Sequence, residues 1–300
     1  MSVRIERDGM FRSVLVPTDG SAGAEATIDH AIGLTRRGDG AVHALYVVDI
    51  GSEPAGLASD EREELYAPSE RRGREATIRV TDRAEQQGLD AAREVREGVP
   101  HRAILEYVDE HDVDLVVMGT HGRTGADRSR LGSTTERVIA LADVPVVSVR
   151  LTEDDDSVPP DGRYDRIVIP TDGSDHAERA AETALEVAQR YDADVHTVYV
   201  VDSTTYDLED APRSIVGLLK EGGRNATEAV ADLARERDLD VTTSLRRGKP
   251  AAELLEYASN VDADLVAMGT RGEAVGSGRL LGSTTARVVR RSPVPVLTVN

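Results

Sequence analysis

The chain has 300 residues, enough on the usual length prior for about two domains, and 39% of them are hydrophobic, enough for ordinary globular cores. It contains no cysteine, which excludes a disulfide framework, thiolate zinc sites and cysteine nucleophiles, and no apolar run approaches the roughly 18 residues of a membrane span. A net charge of −19, with Lys220 and Lys249 the only lysines, repels phosphate backbones and argues against nucleic acid as a partner.

That acidity does not exclude a mononucleotide, because a local pocket of backbone N–H groups binds phosphate within a negative field. Strong acidity, scarce lysine and a single phenylalanine point to a halophilic, high-salt cytosol, where salt screens the self-repulsion. The segment from Met1 to Met10 mixes charges and has no apolar core. A cytoplasmic chain with no signal peptide and no membrane anchor is therefore expected.

In chain order, an apolar run at 13–17 predicts a first strand that ends in Pro17-Thr18-Asp19-Gly20. An Ala-rich amphipathic stretch at 22–37 predicts a helix, and 42–48 and 91–96 predict two further strands. A helix at 101–110 precedes a fourth strand at 114–118, which runs into Met118-Gly119-Thr120-His121-Gly122. Nine residues later come Gly132-Ser133 and a short helical stretch, then a fifth strand at 145–149 opening on Pro145. A linker at 153–163 combines four successive acidic residues with Pro159, Pro160 and Gly162.

After the linker the same blocks return. VLVPTDGS at 14–21 becomes IVIPTDGS at 167–174, LGSTTERV at 131–138 becomes LGSTTARV at 281–288, and VPVVSV at 144–149 becomes VPVLTV at 294–299. The second set of strands is expected at 166–170, 194–201, 241–246, 264–268 and 294–299. The reading is an α/β chain of two tandem, Rossmann-like, doubly wound parallel five-stranded sheets, in domains 1–152 and 164–300. Each fifth strand is an apolar edge, so the halves are expected to cover each other as a pseudo-twofold pair, with a further homodimer left open.

Ligands of doubly wound sheets bind beyond the carboxyl ends of the strands, where the order reverses. The glycines at Gly119, Gly122 and Gly132 let backbone N–H groups approach an anion, and Ser133 opens a helix whose free N–H groups attract phosphate. Gly269, Gly272, Gly282 and Ser283 repeat that spacing. A competing reading makes Ser133 with Glu136 a capping box, and makes Asp19 a cap of the first helix.

The pattern G-x-x-G-x9-G-S after an apolar strand, with P-T-D-G-S upstream, resembles the universal stress protein family across both halves. That resemblance implies strand order 3-2-1-4-5, dimerisation through the fifth strand and ATP at the switch point. It places Pro17, Thr18 and Asp19, the backbone of Val47, and Met118, Gly119, Gly122, Gly132, Ser133 and Thr134 around the nucleotide. In the second half the matching residues are Pro170, Thr171, Asp172, Val200, Met268, Gly269, Gly272, Gly282, Ser283 and Thr284. Asp19 and Asp172 would meet a ribose hydroxyl or a nucleotide-bound Mg²⁺; no metal site made by protein alone is expected. Arg123, Arg128 and Arg130 in the first loop would offset phosphate charge, whereas Glu273 stands in place of Arg123 in the second, so the first site is expected to bind Mg-ATP more tightly.

Three functions fit these residues: a nucleotide-binding regulator of the stress response, a slow Mg-dependent ATPase or nucleotidyl transferase, and an interaction scaffold with unused sites. Against an enzyme, no G-x-x-x-x-G-K-[ST] is present and neither lysine lies in a phosphate loop.

Overall fold

A computed structural model describes residues 10–36, 40–51, 57–122, 130–151, 163–203, 213–272 and 280–300. In the first half, strands β1 (Ser13–Pro17), β2 (Ala41–Asp49), β3 (Asp90–Gly98), β4 (Leu115–Gly119) and β5 (Val146–Val149) alternate with helices α1 (Ala22–Arg36), α2 (Ser59–Gln86), α3 (Pro100–Glu110) and α4 (Ser133–Leu141). In the second half, β6 (Arg166–Pro170), β7 (Asp194–Asp202), β8 (Val241–Gly248), β9 (Leu265–Gly269) and β10 (Val296–Val299) alternate with α5 (Asp175–Tyr191), α6 (Arg213–Arg235), α7 (Pro250–Asn260) and α8 (Ser283–Arg291). The predicted strands lie within two residues of these bounds; Pro145 and Pro295 sit just ahead of the fifth strand of each half, where no ladder N–H is lost.

One expectation is corrected. The strands do not form two separate five-stranded sheets but one sheet of ten, in the order β3-β2-β1-β4-β5-β10-β9-β6-β7-β8. The physical reason is the pair of apolar fifth strands. β5 and β10 meet antiparallel, Leu297 opposite Val147 and Thr298 opposite Val146, and the Thr298 hydroxyl donates to the Val146 carbonyl at 3.1 Å. Two unsatisfied edges thereby remove each other. Every other pairing in the sheet is parallel.

Alternation along the strands divides the core. Val14 and Val16 face one side with Ile28 of α1 and Val80 of α2, while Leu15 faces the other with Ile104 of α3 and Ile139 of α4. Both cores continue across the β5–β10 junction: the first includes Ile167, Leu185 and Leu297, the second Val168, Tyr257 and Val296. Because α1 and α2 lie on one face and α3 and α4 on the other, the connections part between β1 and β4, and a crevice opens at the carboxyl ends of those strands. The linker at 153–163, apart from Arg163, lies outside the described residues, as do Arg123 and Glu273.

Candidate nucleotide site

The end of β1 is shaped by its own side chains. The Thr18 hydroxyl accepts from the Gly20 N–H at 3.2 Å, and Asp19 Oδ1 accepts from the Ser21 N–H at 3.0 Å. Ser21, not Asp19, reaches the first turn of α1, accepting from the Ala24 N–H at 3.3 Å. The second half repeats the turn: Asp172 accepts from the Ser174 N–H at 3.1 Å, and Ser174 caps α5 by accepting from Ala177. The helix-capping reading of Asp19 and Asp172 is thus replaced by a short turn inside the strand-to-helix loop.

The end of β4 leads into a loop closed at its base. The Gly132 N–H donates to the Thr120 carbonyl at 3.0 Å, and the Thr135 hydroxyl donates to the Gly119 carbonyl at 2.8 Å. Gly282–Thr270 and Thr285–Gly269 do the same in the second half, both at 2.9 Å. Gly132 and Gly282 occupy the N-cap positions of α4 and α8, so Ser133 and Ser283 are the first helical residues and cap nothing. The intrahelical ladder begins with the Glu136 N–H bonding to Gly132. That leaves the N–H groups of Ser133, Thr134 and Thr135 as donors without a backbone partner among the described residues, at the positive end of the helix.

Asp19 and the glycine loop are in close apposition. A Cβ added to Gly122 would lie 2.6 Å from Asp19 Oδ2, and one added to Gly272 would overlap the Asp172 carboxylate. A side chain at either position would have to displace the carboxylate, and neither glycine has a positive φ.

Between the strand ends lies a cavity of about 740 Å³, within the usual range for small-molecule sites. Pro17, Thr18, Asp19, Val47, Met118, Gly119, Gly122, Gly132, Ser133 and Thr134 all line it. Of the first-half residues singled out in sequence, Arg123 alone lies outside the described residues. The second-half set occupies the same strand ends and helix starts: Pro170, Thr171 and Asp172 at β6, Val200 on β7, Met268 and Gly269 on β9, Gly272 beyond it, and Gly282, Ser283 and Thr284 at α8.

Sequence reasoning missed part of the wall. Leu65, Tyr66 and Ser69 reach the cavity from α2, and Pro100 and Ile104 from α3. Asp49 was missed as well; with Arg130, one of the loop arginines expected to offset phosphate charge, it gives a carboxylate at the β2 end and a guanidinium ahead of α4. His121 also lines the cavity. Its Nδ1 lies 2.9 Å from the Thr120 hydroxyl, and its Nε2 is buried with no partner among the described residues. In the second half Arg271 takes this place and turns its Nε to the Leu280 carbonyl at 3.4 Å.

Comparison with known proteins follows the same division of the chain. It matches the universal stress protein family over residues 10–150 and again over residues 163–300. A universal stress protein of Methanocaldococcus jannaschii is 40% identical over 139 residues, covering 45% of this chain and 82% of the relative. One of Mycolicibacterium smegmatis is 27% identical over 299 residues, covering 95% of this chain and 96% of the relative. The crystal structure of a universal stress protein from Archaeoglobus fulgidus superposes with a TM-score of 0.71 at 23% identity, covering 96% of each chain, a likeness of fold. The chain belongs to the universal stress protein family and carries two tandem copies of its domain.

Proposed function

We propose that the chain binds adenine nucleotide, as Mg-ATP, at the switch point of each half, and that occupancy serves a regulatory role in the stress response. The observation that carries this reading is convergence: ten residues that the family resemblance singles out, from β1, β2, β4 and the start of α4, line one cavity whose α4 end presents N–H donors without a backbone partner among the described residues. The phosphates lie at that end, near Arg130 and His121; the adenosine lies toward Val47. Among the described residues no cluster of three carboxylates or histidines is placed to hold a metal ion. Mg²⁺ would therefore be held chiefly by phosphate oxygens, with Asp19 or Asp172 as the protein's contribution. The second half binds more weakly, because its loop carries Glu273 in the sequence where the first carries Arg123. No helix among the described residues is long and apolar enough to cross a membrane, and we place the protein in the cytoplasm, at high salt.

Calorimetric titration with Mg-ATP in concentrated KCl tests the reading. Two sites of unequal affinity are expected. Gly122→Val, which drives a side chain into the Asp19 carboxylate, should remove the tighter one and leave the weaker. No heat of binding from protein shown to be folded would leave an interaction scaffold as the better reading. The same acidity predicts that the denaturation midpoint rises with KCl.

A further inference from the structure

Helix α2 is divided at Pro68, which stands inside it and has no N–H to give to the Glu64 carbonyl. Beyond that point Gly73, Ala76, Thr77, Val80, Thr81 and Ala84 are buried. Before it, in 59–67, Tyr66 alone is buried, and Leu65 is 50% exposed although it lines the cavity. The segment is fastened by Tyr66, which packs with Tyr46, Val48 and Ala76, and by a half-exposed ion pair. Arg62 pairs with Glu97 of β3 and lies 5.5 Å from the centre of the Tyr66 ring, while just past the proline the Ser69 hydroxyl meets the Tyr46 hydroxyl at 3.1 Å. A half-exposed ion pair is a weak latch.

The second half supplies an internal contrast. GREATIRV at 73–80 aligns with GRNATEAV at 223–230, and a Cβ on either Gly73 or Gly223 would lie 2.6 Å from the ring of Tyr46 or Tyr199. Counting back from these glycines, Pro68 corresponds to Leu218, Tyr66 to Val216 and Ser69 to Leu219. Leu218 is 68% exposed, so its side chain packs on little, and α6 has an uninterrupted backbone at this point. The proline, the tyrosine and the serine belong to the first half only.

We propose that the Ser59–Ala67 part of α2 is a flap hinged at Pro68, which opens to admit the nucleotide of the first site and closes with Tyr66 and Leu65 against its base. The base falls at this end because the phosphates take the α4 end of the same cavity. The inference rests on the nucleotide reading above and adds a gate to one site of the two. Restoring the missing ladder bond should stiffen the segment without removing a cavity contact, so entry and exit should slow together.

The test uses the full chain carrying Gly272→Val, so that the first site is observed alone. ATP bearing a ribose-linked fluorophore is mixed in stopped flow, then displaced with unlabelled Mg-ATP. Pro68→Leu, the residue the second half already uses, should lower the association and dissociation rates by roughly tenfold each and leave Kd within about twofold. In the chain with Pro68, nucleotide should slow hydrogen exchange in 59–67 more than in 73–86. Unchanged rates in folded Pro68→Leu protein, with binding intact, overturn the flap alone. Failure of the chain with Pro68 to bind the probe or Mg-ATP overturns the nucleotide reading and the flap with it.

Discussion

His30 of α1 is fully buried, and neither ring nitrogen has a partner among the described residues. Burial disfavours the charged ring and pushes its pKa down from 6.5 to about 4. Between those values the unfolded chain takes up a proton that the folded chain refuses. Stability is therefore fully present above about pH 6.5 and falls as pH drops toward 4, by about 3 kcal/mol over the whole span. His30→Leu keeps the volume roughly constant and should flatten the denaturation midpoint between pH 7 and 5. The aligned second-half residue is Thr183, so this contribution belongs to the first half. At this scale the motif residues were legible because each is needed for a local reason, such as the absence of a Cβ at Gly122 or the turn made by Asp19. The role of Ser133 was not legible, because S-T-T-E fits a capping box as well as it fits a first helical turn with Gly132 ahead of it.

Glycines in the two long helices show how packing overrides propensity. In the interior of an exposed helix, alanine is favoured over glycine by about 1 kcal/mol. Gly222 of α6 has no neighbour within 4 Å of a new Cβ, so Gly222→Ala should stabilise by about that amount. Gly73 of α2 faces the Tyr46 ring at 2.6 Å, and overpacking there costs about 1–3 kcal/mol, enough to cancel or reverse the gain. Gly73→Ala should lower the urea midpoint while Gly222→Ala raises it. The start of α2 also marks where sequence reading stopped. Residues 59–67 are mostly charged and carry no motif, so nothing local shows that Leu65 and Tyr66 line the cavity. That follows only from how α2 crosses β2 and β3. The strands were easier, since continuous apolar runs between glycine and proline signals leave little choice of element or length.

Across the whole molecule, the free edges are β3 and β8, and both carry charge: Arg93, Glu94, Arg96 and Glu97 on one, Arg246 and Arg247 on the other. Charged edges resist further pairing, whereas the apolar fifth strands are consumed inside the chain. The apolar character of those strands was plain in the sequence, but whether they abut as two sheets or merge into one depends on backbone register that no composition reports. Leu297 lies in that junction at 1% exposure, and Leu297→Arg would bury an unpaired charge at a cost of several kcal/mol. Light scattering should then show association beyond that of the parent chain, through the exposed fifth strands. The antiparallel β5–β10 seam also has a bearing on inheritance. Two separate polypeptides joined at such an edge would sort by abundance, and a damaged copy would mix with intact ones in every combination. Here each molecule holds one of each version at any expression level, so the two copies can differ, as at Pro68 against Leu218, without ever being mixed.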